Sequence, residues 1–151
     1  MAQAAARHGA AVILIHMLGT PRTMQRSPRY DDVIADISGF LKERIVFAEA
    51  SGIKRGQIFI DPGIGFGKTV EHNLEILKRL KEFKGLGAPI VIGLSRKYFI
   101  GQTLGGIAAQ ERLAGSLAGN FWAAFNGANI LRVHDVKENV QALKILKAIK
   151  G

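Results

Sequence analysis

The sequence predicts an α/β fold in which four parallel strands alternate with helices. Short apolar runs rich in isoleucine and valine recur along the chain, and amphipathic segments of helical length separate them. The runs are apolar at nearly every position, which is typical of parallel strands buried on both faces. Because no stretch resembles a linker, we expect residues 1–151 to form one domain.

The first two strand–helix units occupy the first half of the chain. Residues 10–16 form an apolar, β-branched run that predicts a buried strand. Residues 19–30 carry prolines among polar residues, which predicts a long loop. Apolar residues at helical spacing predict a helix over 30–53. The apolar run 57–61 predicts the second strand, and the amphipathic segment 70–83 predicts the helix that follows it.

The third and fourth units repeat this pattern. Residues 89–95 (PIVIGLS) predict a strand, which a loop with a short turn joins to a helix from about residue 109 to 125. Residues 129–135 (NILRVHD) predict the fourth strand. Because Asp135 and Glu138 have the spacing of a capping box, we expect the last helix over 138–150.

Composition excludes several classes of protein. The 151 residues are 48% hydrophobic and 22% charged, which suits a globular core. Without cysteine there are no disulfides, thiolate metal sites or cysteine nucleophiles. No apolar run reaches the roughly 18 residues of a membrane span, and the start MAQAAARHGA lacks the features of a signal peptide. We therefore expect a cytoplasmic protein with no membrane partner.

The net charge of +9 is compatible with nucleic acid, an anionic small molecule or an ordinary basic surface. Nucleic-acid binding requires clustered basic residues interleaved with aromatic ones. Here the lysines are spread along predicted helices, as in KRLKEFK and LKILKAIK, where most of them face water. We expect no nucleic-acid partner.

The stretch FIDPGIGFGKT, residues 59–69, ends like a phosphate loop but does not fit the pattern. If Gly67, Lys68 and Thr69 form the end of a P-loop, its first glycine belongs at the position of Pro62. Proline has no N–H to donate to a phosphate. The dinucleotide-binding glycine pattern fails as well. What remains is a buried strand that ends in an acid and opens into a turn with three glycines.

Every predicted strand ends in polar or ionisable residues. Because the chemistry of parallel α/β sheets gathers at the carboxyl ends of the strands, these residues are site candidates. In chain order they are His16 and Met17; Asp61, Gly63, Gly65, Phe66 and Gly67; Gly93, Ser95, Arg96 and Lys97; and Arg132, His134 and Asp135. If they converge, an acid can bind the N–H edge of a heterocycle, cations can hold an anion, and Phe66 and Met17 can sandwich a flat ring.

Structural alternatives remain open for these candidates. Asp61 could be only a turn former before a proline. Arg132 and His134 alternate along the predicted strand and should share a face, which suggests a phosphate site, although a lone histidine is more often structural. His16 stays open between site and core. No His, Asp or Glu set has metal-ligand spacing, and Ser95 lacks the context of a hydrolase nucleophile.

Taken together, these motifs resemble dihydropteroate synthase, a family of pterin-binding enzymes. The matching stretches are residues 13–25, 59–80, 90–105 and 111–140, in the family's order and over nearly the whole chain. The resemblance implies strands five to eight of a (β/α)8 TIM barrel, with the N-terminal half missing. MAQAAARHGA would then be the helix before strand five.

The resemblance also implies a reaction, in which p-aminobenzoate displaces pyrophosphate from 6-hydroxymethyl-7,8-dihydropterin pyrophosphate to give dihydropteroate. By position in the motifs, Asp61 would hydrogen-bond the pterin ring. Lys97 would contact the pterin and line the aminobenzoate side. Arg132 would stack on the pterin and hold phosphate, and His134 would bind pyrophosphate.

The remaining implied site residues shape the pocket. Met17, Phe66 and Gly93 would line the pterin, and Ser95 and Arg96 would lie at the aminobenzoate side. The resemblance implies Mg²⁺ as well, but the expected ligand belongs to the missing half, so we expect no metal ligand in this chain.

A half barrel would leave two sheet edges and an inner face of isoleucine and valine uncovered, and such surfaces drive association. We therefore expect a homo-oligomer, or association with a partner that carries the other half-barrel. Two alternatives stay open: a truncated, inactive fragment that at most binds pterin weakly, and a pterin-dependent methyltransferase relative. The SRK stretch at 95–97 and RVHDV at 132–136 favour the synthase over the methyltransferase.

Overall fold

The computed structural model describes residues 1–151, apart from the side chain of Lys150. The strands are β1 (Val12–Ile15), β2 (Ile58–Asp61), β3 (Val91–Ile92) and β4 (Ile130–Leu131). β1 pairs in parallel with β2, and β3 pairs in parallel with β4. A parallel bridge between Ile60 and Ile90 joins the two pairs. Each strand therefore lies beside its neighbour in sequence.

Helices connect these strands, which confirms the predicted α/β class with parallel strands. They are α1 (Ala2–Arg7), α2 (Val33–Ala50), α3 (Val70–Lys78), α4 (Tyr98–Thr103), α5 (Leu113–Phe125) and α6 (Val136–Lys150), with short 3-10 helices at Arg55–Gln57, Leu80–Leu86 and Ala109–Glu111. Helix α4 lies where the sequence predicts a loop with a short turn. The predicted helix over 109–125 is divided into a 3-10 turn followed by α5.

Helix α2 covers one face of β1 and β2. Its buried side chains recur three or four residues apart, as the sequence predicts: Val33, Ile34, Ile37, Leu41, Ile45 and Ala48. The helix begins later than residue 30 because Asp32 caps it. The Asp32 Oδ1 atom accepts hydrogen bonds from the backbone N–H groups of Ile34 at 2.8 Å and Ala35 at 3.1 Å.

Helix α3 ends at Lys78, before the predicted limit of residue 83. The chain continues as the 3-10 helix Leu80–Leu86. In a 3-10 helix, residues three apart lie above one another. Leu80 and Phe83 therefore share one side, and both are buried as the sequence predicts. The predicted end of the α-helix at residue 83 is therefore wrong. Leu80 and Phe83 are three residues apart, a spacing that lines up in a 3-10 helix but not in an α-helix.

Strand β4 is shorter than predicted, so the prediction that Arg132 and His134 share a face through strand alternation is wrong. The Arg132 N–H still donates to the Ile92 carbonyl at 2.8 Å. Strand β3 also ends at Ile92, so beyond Arg132 the backbone hydrogen bonds to a side chain rather than to a neighbouring strand. The His134 N–H donates to the Ser95 Oγ atom at 3.3 Å.

The predicted capping box before the last helix is wrong as well. Helix α6 begins at Val136, and its N-cap residue Asp135 makes no capping hydrogen bond with its side chain. The Asp135 carboxylate pairs instead with the guanidinium of Arg96. A charged partner outside the helix thus competes with the helix N-terminus for this side chain.

The face of the sheet opposite α2 is open. Ile13 and Ile15 of β1 are 49% and 46% exposed, while Val12 and Leu14, which alternate with them, pack against the core. Ile130 of β4 is 42% exposed. This agrees with the expected uncovered inner face. Among the described residues, no helix combines the length and apolar character that crossing a membrane requires.

Candidate functional site at the carboxyl ends of the strands

Asp61, the last residue of β2, is the buried acid of the site. It is 3% exposed, and its Oδ1 atom accepts a hydrogen bond from the Gly63 N–H at 2.7 Å. Burial raises the pKa of Asp61, while this hydrogen bond and the positive charges of Lys97, Arg132 and Lys68 oppose the rise. A carboxylate in such surroundings is a strong acceptor for N–H groups that reach it.

The loop after Asp61, residues 62–69, is termed the glycine loop. It lies directly on the end of β1, and two glycines permit this approach. A Cβ atom at Gly63 would lie 1.9 Å from the His16 carbonyl oxygen, and one at Gly67 would lie 2.7 Å from the Leu18 Cβ atom. Both residues also have positive φ, 73° and 67°, which glycine adopts without strain.

The glycine loop directs Lys68 into the protein. Lys68 is 4% exposed, and its Nζ atom lies 2.9 Å from His16 Nδ1 and donates to the Phe66 carbonyl at 3.0 Å. Burial lowers the pKa of Lys68 to about 7, with Asp61 opposing this shift and Lys97 adding to it. The only sequence signal for Lys68 is its place in the GKT stretch that resembles a phosphate loop.

His16 is a core residue in contact with this lysine. It is 5% exposed, and its ring packs edge-on against Phe40 with the centroids 5.1 Å apart. Burial lowers the pKa of His16 to about 4, and the charge of Lys68 contributes. His16 is therefore neutral near pH 7, which answers the question that the sequence left open in favour of a buried, supporting role.

Lys97 follows β3 and points back towards the glycine loop. Its Nζ atom donates to the Ile64 carbonyl and lies 4.4 Å from the centroid of the Phe66 ring. Burial lowers the pKa of Lys97 to about 8; Asp61 opposes the shift and Arg132 adds to it. Lys97 and Phe66 thus form a cation–π pair beside the buried acid.

Arg132 reaches the same place from β4. A Cβ atom at Gly93 would lie 2.8 Å from the Arg132 Nη2 atom, so the guanidinium rests against the bare backbone of that glycine. Arg132 is exposed, and its charge lowers the pKa of Asp61. The structure therefore brings together Asp61, Phe66, Gly93, Lys97 and Arg132, all of which the sequence predicts as site residues.

Arg96 is held in a left-handed conformation, with a φ of 56°. Its N–H donates to the buried Ser116 Oγ atom at 2.8 Å, and its carbonyl accepts from Arg112 Nη1 at 3.0 Å. Its Nε atom donates to Asp135 Oδ2 at 3.0 Å. This pair holds the pKa of Asp135 below its usual value. The Arg96 guanidinium is thus engaged by protein.

The remaining predicted residues lie around this group. The buried Ser95 Oγ atom lies 3.1 Å from the Nδ1 atom of the exposed His134. Met17 follows β1 and is half-buried. A cavity of about 580 Å³ opens beside the glycine loop, and its described lining includes Phe66 and Lys97.

Several lining residues of this cavity were not site candidates in the sequence analysis, among them Gln25, Tyr98 and Lys68. The Gln25 Nε2 atom donates to the Gly65 carbonyl at 2.7 Å, which ties the long loop after β1 to the glycine loop. Gln25 lies far from any predicted strand end, so its role depends on a fold of the loop that the sequence does not specify.

Comparison with known proteins identifies the family. A family model described as pterin binding enzyme matches residues 1–134. The chain belongs to this family. Among curated proteins, the dihydropteroate synthase of Escherichia coli is 47% identical over 146 residues, which cover 97% of this chain and 51% of that protein.

Solved structures of pterin binding enzymes have the same fold. A dihydropteroate synthase from Stenotrophomonas maltophilia, crystallised with imidazole in its active site, superposes with a TM-score of 0.96 at 45% identity, covering 99% of this chain and 57% of that one. The Thermus thermophilus enzyme was solved with 4-aminobenzoate and with 6HMPPP. Both structures have a TM-score of 0.94 and 41% identity; they cover all of this chain, and the chain covers 61% and 60% of theirs.

The chain spans about half the length of the curated relatives that it matches. Its strand ends supply one buried acid and several cations. Within the described residues, no three His, Asp or Glu side chains converge into a group that could hold a metal ion. Asp61 lies among cations and Asp135 is paired with Arg96, so the residues present do not fit a protein-held Mg²⁺.

Proposed function

We propose that this chain supports dihydropteroate synthase chemistry, in which p-aminobenzoate displaces pyrophosphate from 6-hydroxymethyl-7,8-dihydropterin pyrophosphate. The observation that carries the proposal is the position of buried Asp61 beside Lys97, Arg132 and Phe66. Membership of the pterin-binding family supports the substrate class. The 4-aminobenzoate and 6HMPPP complexes of the Thermus relative support the two substrates.

In this proposal Asp61 recognises the pterin ring through hydrogen bonds, and other side chains pack against the two faces of the ring. Asp61 accepts hydrogen bonds from ring and amino N–H groups of the pterin. Phe66 and Met17 contact the faces of the pterin ring. Because Gly93 has no side chain, the Arg132 guanidinium has room to stack on the pterin ring. Lys97 donates to the ring and faces the aminobenzoate.

The proposed reaction is a substitution at the pterin methylene carbon. The amine nitrogen of p-aminobenzoate forms the new C–N bond, the C–O bond breaks, and pyrophosphate leaves with the electron pair. The amine then releases a proton to solvent or to the departing anion. Arg132 stabilises the negative charge of the leaving group, His134 binds it, and Ser95 lies near His134. Because the amine is a neutral nucleophile, positioning and anion stabilisation supply the catalysis without a strong base.

Arg96 has an indirect part in this scheme. Its guanidinium is bound by Asp135, and its backbone by Ser116 and Arg112. We place Arg96 at the aminobenzoate side, where its fixed backbone positions Lys97, the next residue in the chain. No step is assigned to Mg²⁺, because the residues present do not fit that ion.

We further propose that the open sheet face is covered in the working enzyme, by a partner that carries the other strands of a (β/α)8 barrel or by a second copy of this chain. The exposed Ile13 and Ile15 support this assembly. A β-branched apolar face of this kind matches the interior of a barrel, where branched side chains fill the core.

Calorimetric titration with 6-hydroxymethylpterin tests the pterin site directly. We expect the chain to bind this probe and Asp61→Asn to lose about tenfold or more in affinity, because one charged acceptor is removed. Asp36→Asn is the matched control, since Asp36 is exposed in the first turn of α2. Equal binding by the Asp61 and Asp36 variants would contradict the proposal.

A further inference from the structure

Lys68 is the buried cation that the proposed reaction does not use. Lysine is rarely buried unless it is paired, yet Lys68 is 4% exposed and lies beneath the site. Its Nζ atom makes hydrogen bonds with His16 Nδ1, at 2.9 Å, and with the Phe66 carbonyl oxygen, at 3.0 Å. These atoms belong to different parts of the chain, the end of β1 and the glycine loop.

We propose that Lys68 is a positioning residue that ties the end of β1 to the glycine loop and so fixes the two walls of the pterin pocket. The inference rests on the proposed function, because it assigns the walls to Met17 and Phe66. Met17 directly follows His16, and Phe66 supplies the carbonyl that Lys68 binds. We assign Lys68 this positioning role and no direct part in the reaction.

The end of β1 and the glycine loop are packed too closely to move freely against each other. A Cβ atom at Gly63 would lie 1.9 Å from the His16 carbonyl oxygen, so the backbones already meet at this point. Lys68 adds hydrogen bonds across the same junction. Backbone contact and these hydrogen bonds together restrict both the angle and the distance between the strand end and the loop.

The contact with Lys68 also determines the state of the His16 ring. Protonated Lys68 can only donate, so His16 Nδ1 must accept and the ring proton must reside on Nε2. The low pKa of His16, about 4, agrees with a neutral ring. His16 packs edge-on against Phe40, with the ring centroids 5.1 Å apart. The His16 ring, held in one orientation, therefore connects Lys68 with Phe40 of α2 in the core.

Several charged or titratable groups face Lys68 from the surrounding elements. Asp61 at the end of β2 favours its charged form, and Lys97 after β3 opposes it. His16 lies in direct contact, and the Tyr30 ring lies with its centroid 5.8 Å from the Lys68 Nζ atom. Because burial lowers the pKa of Lys68 to about 7, the strength of the connection should change across neutral pH.

The test compares Lys68→Met and Lys68→Arg with Lys54→Met, an exposed lysine at the opposite end of β2. Long-range ¹H–¹⁵N spectra report the His16 tautomer, and ¹³C-methyl spectra report Met17. Below pH 7, where Lys68 is protonated, we expect Nε2–H in the wild-type chain, loss of this single tautomer together with a Met17 shift in Lys68→Met, and neither change in Lys54→Met. Lys68→Arg should restore both signals at least in part.

Binding of 6-hydroxymethylpterin gives the functional readout on the same proteins. Lys68→Met should lose about tenfold in affinity, because the two pocket walls are no longer held in the arrangement that binds the probe, while Lys54→Met binds as the wild type does. An unchanged His16 tautomer and unchanged Met17 signals in Lys68→Met would overturn the inference. So would equal probe affinity of Lys68→Met and Lys54→Met.

Two further outcomes remain decisive. If the wild-type chain does not bind the probe, the proposed function fails, and the spectra alone decide the inference. If Lys68→Met does not fold, the pH titration of the wild-type chain decides it. The Met17 methyl signal must then shift near neutral pH, as Lys68 titrates. A methyl signal that does not change over this pH range overturns the inference.

Discussion

The Arg96 guanidinium and the Asp135 carboxylate form a two-point ion pair that joins the ends of β3 and β4, with Nε donating to Oδ2 at 3.0 Å. Arg96 adopts a φ of 56°, which costs about 1–3 kcal/mol for a residue other than glycine. The ion pair and the hydrogen bonds to its backbone maintain this conformation. Lys97 comes next in the chain, so a fixed Arg96 backbone restricts where the Lys97 side chain begins.

Replacing Ser116 tests this arrangement. Ser116→Ala removes the buried acceptor of the Arg96 N–H, and we expect a loss of about 1–3 kcal/mol in the free energy of unfolding. Denaturant unfolding measures it. The control is Ser51→Ala, whose exposed Oγ atom donates to the Phe47 carbonyl and should change stability by less than about 0.5 kcal/mol. Similar losses in both variants would contradict the account.

The contact between the glycine loop and β1 makes a second prediction. Gly63→Ala places a Cβ atom 1.9 Å from the His16 carbonyl oxygen at a residue with a φ of 73°. The backbone strain alone costs about 1–3 kcal/mol, and relief of the clash adds to it. Gly56→Ala is the control, because a Cβ atom there has no neighbour within 4 Å among the described atoms. Thermal unfolding should separate the two variants clearly.

Buried Lys68 and half-buried Lys97 predict the pH dependence of stability. Burial lowers the pKa of Lys68 to about 7 and that of Lys97 to about 8, whereas both return to about 10.4 in the unfolded chain. Between these values the unfolded state binds more protons, so the free energy of unfolding must rise with pH from about 7 to about 10. Tyr30, whose pKa is raised to about 12, favours the folded state below about pH 10 and loses this effect above it.

Denaturant unfolding at several pH values measures this rise. In Lys68→Met, the part of the rise that begins near pH 7 should disappear, while Lys54→Met, with an exposed lysine, should retain the wild-type profile. A wild-type curve that is flat or falls between pH 7 and 10 would contradict the placement of Lys68 in the interior and of Lys97 in a half-buried position.

The open sheet face predicts self-association. Ile13 is 49% exposed on the face opposite α2, and we expect Ile13→Lys to shift the chain towards monomer in sedimentation velocity. Val46→Lys is the control, because Val46 is 59% exposed on α2 and lies away from that face. A wild-type chain that stays monomeric at all concentrations, or equal effects of the two variants, would contradict self-association through this face.

Much of the site could be predicted because parallel strands end at one edge of the sheet. This rule requires only the order of strands and loops, and it selected Asp61, Phe66, Gly93, Lys97 and Arg132, which the structure brings together. The roles assigned to these residues stay predictions. The α/β class followed from the same pattern of apolar runs.

Features that depend on local backbone angles could not be predicted. Lys68 points inward because glycines with positive φ turn the loop around it, and nothing in the letters GKT specifies that direction. Asp135 has a suitable capping position, yet a guanidinium after another strand binds it. The sequence reveals neighbours along the chain, whereas this competition is decided by a partner 39 residues away.

A turnover assay on the purified chain tests the central claim most directly. Dihydropterin pyrophosphate, p-aminobenzoate and magnesium are supplied, and Lys97→Ala is compared with Lys54→Ala, whose exposed side chain lies at the other end of β2. We predict dihydropteroate from the wild-type chain and from Lys54→Ala, and a loss of about a hundredfold or more in Lys97→Ala. Equal turnover in the two variants, or no product at concentrations that force association, would contradict the claim.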